Sequence, residues 1–101
     1  MEINEAQKQS FELLEIINDK HNINHEPDSI FLSLAEEVGE VARELSKKQK
    51  KWREEFNKEK LSDELADVMS RTLIIAQDNN IDMDKAFSNK IKKINERFDI
   101  K

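Results

Sequence analysis

Cysteine is absent from this 101-residue chain, which excludes disulfides and thiolate metal sites. Tyrosine is absent too, and the aromatics are five Phe and one Trp; Gly and Pro occur once each. Such usage favours helices over sheets, whose strands draw on β-branched and aromatic residues. No apolar run approaches the roughly 18 residues of a membrane span. There is no basic excess: the net charge of -5 argues against a general binder of nucleic-acid polymers, which would carry a basic face. The acidic start, Met1 to Glu5, does not resemble a secretion signal. The expectation is a soluble, cytoplasmic protein with neither a membrane nor a nucleic-acid polymer as partner. Repeats, low-complexity tracts and long linkers are also missing, so residues 1–101 read as one domain. A domain of this size has only a modest core, and association is a common remedy.

What is present is helical periodicity. Ala6, Phe11, Leu14 and Ile17 recur at three- and four-residue spacing and predict a first helix over Asn4 to Lys20. Asn22, Asn24 and Pro27 break it. Asp28 or Ser29 is placed to cap a second helix that runs through Lys47 and toward Trp52, with Ile30, Leu34, Val38, Val41 and Leu45 as its stripe. A third helix, Leu61 to Gln77, carries Leu61, Leu65, Val68, Met69, Thr72 and Ala76. Asp78-Asn79-Asn80 ends it, and Asp82 caps a fourth with Ala86, Phe87, Ile91, Ile94 and Phe98. The fold class is all-α, a four-helix bundle.

Two acidic tetrads stand out, Glu37-Val38-Gly39-Glu40 and Glu64-Leu65-Ala66-Asp67. Each places two carboxylates on one helix face. Like charges repel, and a hard divalent cation with a preference for oxygen ligands turns that repulsion into a site. Both tetrads interrupt apolar stretches, so a freely solvated surface is a poor fit. At 100° per residue Glu37 lies about 70° and Glu40 about 130° from the second helix's stripe, while Glu36 points away. Glu64 lies about 100° and Asp67 about 160° from the third helix's stripe, which turns Asp67 to solvent in a simple monomeric bundle. Ile74 nearly shares the Asp67 face, and Leu73-Ile74-Ile75-Ala76 makes that helix apolar almost all round. The expectation is that a second copy of the chain covers it. Gly39 costs about 1 kcal/mol relative to Ala inside a helix, which close helix approach or room for a ligand would explain. Lys90, Lys93 and Arg97 share a face of the fourth helix and suit a phosphate chain. The plain alternative is a charged bundle surface. Acids make up 22 of 101 residues, and Glu12 and Glu15 form another such pair on the first helix.

Taken with its surroundings, the pattern is more specific. His25-x-Pro27 leads into Ile30-Phe31-Leu32-x-Leu34-x-Glu36-Glu37-Val38-Gly39-Glu40; after 23 residues come Glu64-x-x-Asp67, within Asp63-Glu64-Leu65-Ala66-Asp67-Val68. Asp82-Met83-x-x-Ala86-Phe87-x-x-Lys90 and Lys93-Ile94-x-x-Arg97-Phe98 follow. From about Asn24 to Phe98 the sequence resembles the MazG-like all-α nucleoside triphosphate pyrophosphohydrolases. The resemblance implies Mg2+-dependent cleavage, with Mn2+ as a substitute, between the α- and β-phosphates of NTPs or dNTPs, in nucleotide-pool housekeeping. It implies that Glu37, Glu40, Glu64 and Asp67 are the metal-binding, catalytic residues and that the chains form a homodimer or a dimer of dimers; Glu36 belongs to the signature, but its outward angle makes it a weaker ligand candidate. Some pyrimidine-preferring relatives carry aromatics soon after the second helix's acids and one turn after the third helix's aspartate. This chain has Leu45-Ser46-Lys47-Lys48 and Arg71 there.

Other residues keep two readings. His25 is a candidate for base or ribose contact, or for packing within its loop. The run Lys47-Lys48-x-Lys50-Lys51-x-Arg53 attracts polyphosphate or simply solvates a helix end. Trp52 and Phe56 form a lid over a base or pack at a helix turn. The competing functions are a non-catalytic helical interaction module and a related bundle enzyme acting on another nucleotide pyrophosphate bond.

Overall fold

The computed structural model describes residues 1–22, 29–49 and 55–100. Among them the chain forms α1 (Ile3–His21), α2 (Ile30–Lys47), α3 (Lys58–Asp78) and α4 (Met83–Arg97), with no strand, so the all-α expectation holds. The boundaries follow local chemistry. Asn22 ends α1 in the left-handed region (φ 52°, ψ 39°), donating its N–H to Asn18 O, a conformation asparagine tolerates better than most residues. The Asn57 side chain accepts from the N–H groups of Glu59 and Lys60, so α3 begins at Lys58, earlier than periodicity alone predicts. Asp82 caps α4 by accepting from Lys85 N–H at 3.1 Å. Ser29 holds the N-cap position of α2 without a side-chain cap bond. Asp28 and Trp52 lie outside the described residues; α2 itself ends at Lys47 with Lys48 as its C-cap, so the helix does not continue through Lys48 and Gln49 toward Trp52.

The fold is organised around α3, which packs against α2 on one side and α1 on another. Leu73, Ile74 and Ala76 are buried there. Ile74 joins Leu14 and Ile30 in one cluster, with Phe11 and Ile75 packed against it. This corrects the sequence reading, because Ile74 is only 4% exposed and is covered by the chain's own helices. An apolar girdle on α3 serves two neighbours in the same chain, so it does not call for a second copy. The fourth helix is corrected in the opposite direction. Phe87, Ile91, Ile94 and Phe98 are exposed, and no residue of α4 is buried. The main packing of α4 is with α1. Val38 and Leu45 on α2, and Leu65 and Met69 on α3, are exposed as well. The radius of gyration, 16.4 Å, exceeds the roughly 13 Å of a compact 100-residue domain. Among the described residues no helix is long and apolar enough to cross a membrane.

Of the basic run at the C-terminal end of α2, Lys50, Lys51 and Arg53 lie outside the described residues, while Lys47 and Lys48 have partners. Lys47 is buried with Glu44, its Nζ donating to Glu44 Oε2 at 2.6 Å. Lys48 Nζ lies 4.7 Å from the centre of the half-buried Phe56 ring.

Polar contacts fix the α3–α4 corner. Gln7, buried on α1, donates from Nε2 to Ile81 O at 2.6 Å and to Gln77 Oε1 at 3.1 Å. Its Oε1 accepts from Met83 N–H at 3.2 Å. That N–H is among the helix-start donors with no partner inside α4. One amide thus joins α1, the end of α3 and the start of α4. Gln7→Leu keeps the bulk but strands these polar groups, and should destabilise the protein by about 1–3 kcal/mol in chemical denaturation. An unchanged midpoint would show that the corner is held without the amide.

Candidate metal centre

The α2–α3 contact brings acids together from both tetrads. Glu37 on α2 and Glu64 and Asp67 on α3 each offer one carboxylate oxygen within 4.8 Å of the others, and all three residues are half-buried. One turn further along α2, Glu40 is exposed and acts on Glu64 through its charge. The cross-helix pairs Glu37–Glu64 and Ser33–Arg71 run in opposite directions along α2 and α3, as antiparallel helices require. Asp67 keeps 45% side-chain exposure, so it is turned less to solvent than the apolar stripe suggests. The reason is that α2 meets α3 off-centre from that stripe, on the side of the acids. Glu36 is exposed, in keeping with its outward angle.

The electrostatics follow from the crowding. The Glu64 carboxyl is raised above its ordinary 4.5, first by loss of solvation, then by a side-chain hydrogen bond with Glu37, then by the charges of Glu37, Asp67 and Glu40. Crowding of the carboxylates thus makes Glu64 hold a proton more readily than an isolated carboxyl would. This supports a fit to a cation, since the donors are all carboxylate oxygens, the set suited to Mg2+ or Mn2+ and unlike the N/S set of structural zinc. Glu37, Glu64 and Asp67 would hold such an ion, with Glu40 beside them.

The remaining candidates are placed as follows. Lys90, Lys93 and Arg97 are exposed on α4, and among the described residues no ion pair joins them to the four acids. Arg97 lies over the Phe98 ring, 5.5 Å from its centre. His25 is outside the described residues. A Cβ added at Gly39 meets no atom within 4 Å, so close helix approach within the chain does not explain this glycine, and the open space beside it remains. Glu12 and Glu15 are exposed on α1 and take no part.

Two residues at the site's edge escape the tetrad reading. Arg71 lies one turn beyond Asp67, and Ser33 one turn before Glu37. Arg71 Nε–H donates to Ser33 Oγ at 3.2 Å, and its Nη1 is 3.7 Å from Asp67 Oδ1. The i,i+4 Asp–Arg spacing was the available signal.

A pH dependence follows. A carboxyl whose affinity for its proton is raised by folding stabilises the protein below its unfolded value. That stability is lost as pH rises from about 4.5 through the raised folded value. Metal-free protein should therefore lose stability over that window. Glu64→Gln should flatten the loss and melt higher than the parent at pH 7 in chelator. Divalent cations should stabilise the parent increasingly as pH rises, because binding displaces the proton. Thermal melts from pH 4 to 8, with chelator and with Mn2+, check both statements. A parent melt independent of pH would contradict them.

Comparison with known proteins gives one positive finding. No curated protein and no solved structure matches the chain. A family profile for the MazG nucleotide pyrophosphohydrolase domain matches residues 25–99, a span that contains both tetrads and all of α2, α3 and α4. That span covers well over half of the 101 residues, and the all-α architecture agrees with it, so this chain belongs to the MazG nucleotide pyrophosphohydrolase family.

Proposed function

We propose that this protein is a Mg2+-dependent nucleoside triphosphate pyrophosphohydrolase acting on NTPs or dNTPs in nucleotide-pool housekeeping. The observation that carries the reading is the convergence of Glu37, Glu64 and Asp67 within 4.8 Å across two helices, inside the matched family span. A bound divalent cation would neutralise and polarise phosphate oxygens. The chain's own part is to present oxygen ligands at fixed spacing and to orient water with a carboxylate of the same set, Glu40 being the one left outside the close trio. Water adds across the α–β anhydride: a P–O bond to the water oxygen forms, the anhydride bond breaks, and pyrophosphate leaves as the monophosphate is released. The proton given up by water goes to a carboxylate. In this reading Lys90, Lys93, Arg97 and His25 contact the nucleotide.

The same reading includes a homodimer or a dimer of dimers, on grounds other than Ile74. Exposed Phe87 and Met69 line an apolar cavity of about 320 Å3 together with Ile3, Leu73 and Met83, and α4 leaves its apolar face uncovered. A second chain is the cover that would bury this surface, at about 1.5–3 kcal/mol per large apolar side chain. Phe87→Lys should shift the protein toward monomer in sedimentation velocity. A wild-type protein already monomeric at micromolar concentration would overturn the assembly.

The activity is tested by incubating a panel of NTPs and dNTPs with Mg2+ and measuring monophosphate and pyrophosphate together. Equimolar release of the two is expected. Glu40→Gln and Asp67→Asn should each lower turnover by at least about 100-fold, the scale of losing an electrostatic or acid–base group, while Glu12→Gln stays near wild type. Release of orthophosphate alone would assign the site to another bond. Near-normal turnover of both variants at limiting Mg2+ would remove these acids from the site.

A further inference from the structure

Arg71 stands at the edge of the acidic cluster under unusual conditions. A cation beside a carboxylate commonly locks onto it at about 2.7–2.9 Å. Here the guanidinium stops 3.7 Å from Asp67 Oδ1 and is anchored by Ser33 through Nε–H instead. Its Nη2 has no hydrogen-bond partner among the described residues. About a third of the side chain is exposed. Arg71 and Ser33 also line a cavity of about 120 Å3 between α1, α2 and α3, walled by Leu13, Leu14, Ile17 and Ile30. The guanidinium therefore divides the acidic cluster from an apolar recess. Lys47, further along α2, differs: its charge is engaged by Glu44 at 2.6 Å and is buried.

The position matters because of sign. A fixed positive charge close to a cation site opposes a cation that arrives alone. A site built only to hold metal would gain by omitting it. A polyphosphate brings the compensating negative charge, and the guanidinium fork suits phosphate oxygens in particular. We propose that Arg71, set in place by Ser33, is a substrate-binding residue for the phosphate chain of the nucleotide, and that it makes the acidic cluster favour a cation accompanied by polyphosphate over a bare cation. The inference rests on the reading of this site as a nucleotide-hydrolysing one, and adds to it the residue that selects the anionic partner. Ser33 is a positioning residue: it fixes Nε and leaves the terminal nitrogens for phosphate.

The test separates this role from a structural one because the two readouts move in opposite directions. Mn2+ affinity is measured on nucleotide-free protein by electron paramagnetic resonance. Affinity for inorganic tripolyphosphate is then measured by calorimetry in the presence of Mn2+, which makes the probe independent of base and of turnover. In Arg71→Gln, bare Mn2+ should bind about threefold to tenfold tighter, and tripolyphosphate about tenfold or more weaker. Arg71→Lys should restore the parent's Mn2+ affinity and only part of the tripolyphosphate affinity, since a lysine lacks the Nε anchor and the fork. Ser33→Ala should weaken tripolyphosphate binding and change Mn2+ affinity by less than about twofold. Lys8→Gln, on the exposed surface of α1, should change neither. If Arg71→Gln weakens both ligands, Arg71 merely props Asp67 and the proposal is overturned. Unchanged tripolyphosphate binding, or none by the wild-type protein, overturns it as well. Wild-type protein that binds tripolyphosphate as described yet hydrolyses no nucleotide in the panel would sink the hydrolase reading and uphold Arg71 as a polyphosphate contact.

Discussion

The constraint that sets the demands on this structure is a cluster of like charges held together across two helices. Glu37, Glu64 and Asp67 place oxygens within 4.8 Å in a half-buried setting, where each negative charge works against its neighbours. Apolar packing on the other sides of α3 must supply the opposing free energy. Leu73, Ile74 and Ala76 are buried, and Ile74 packs with Leu14 from α1 and Ile30 from α2. The core lies toward the C-terminal half of α3 and the acids toward its N-terminal half. One helix thus carries both the source of stability and the feature that strains it. The raised proton affinity of Glu64 reflects that strain, which a bound cation would relieve.

The grip on α3 is uneven, and this shapes the molecule. Two neighbours cover its girdle, while α4 rests mainly on α1. The Gln7 amide fixes the α3–α4 corner with three hydrogen bonds. Polar contacts define direction well but bury little apolar surface. Phe87, Ile91, Ile94 and Phe98 consequently stay exposed. Amphipathic faces of this kind are stable in water when another apolar surface meets them, and that is the physical basis for the proposed assembly.

Charges at the edges of the acidic row differ in kind. Lys47 is paired tightly with Glu44 and contributes to local structure. Arg71 is anchored to a neutral hydroxyl and stands off its nearest acid. A paired, buried cation has little left to offer a ligand, whereas a partly exposed guanidinium held at a hydroxyl keeps donors available. The distinction between a structural and a ligand-facing cation lies in these partners.

The sequence alone determined the helical class, the four segments and their stops, because periodicity, Asn and Asp capping and the scarcity of Gly and Pro are local properties. It also marked both acidic tetrads, since three-residue spacing on a helix puts carboxylates on one face whatever the packing. The partners of each face were a tertiary decision. Periodicity shows how much of α3 is apolar but not which helix covers it, so Ile74 was assigned to a second copy when α1 and α2 already bury it. By the same limit, periodicity groups Phe87 and Ile91 on α4 without showing that the single chain leaves them exposed. Gln7 and Ser33 look ordinary in the sequence, and Arg71 stands out there only by its spacing, one turn after Asp67. Their roles arise from contacts across 70 to 76 residues for Gln7 and 38 for Ser33 with Arg71, which only the packing of helices against one another brings into reach.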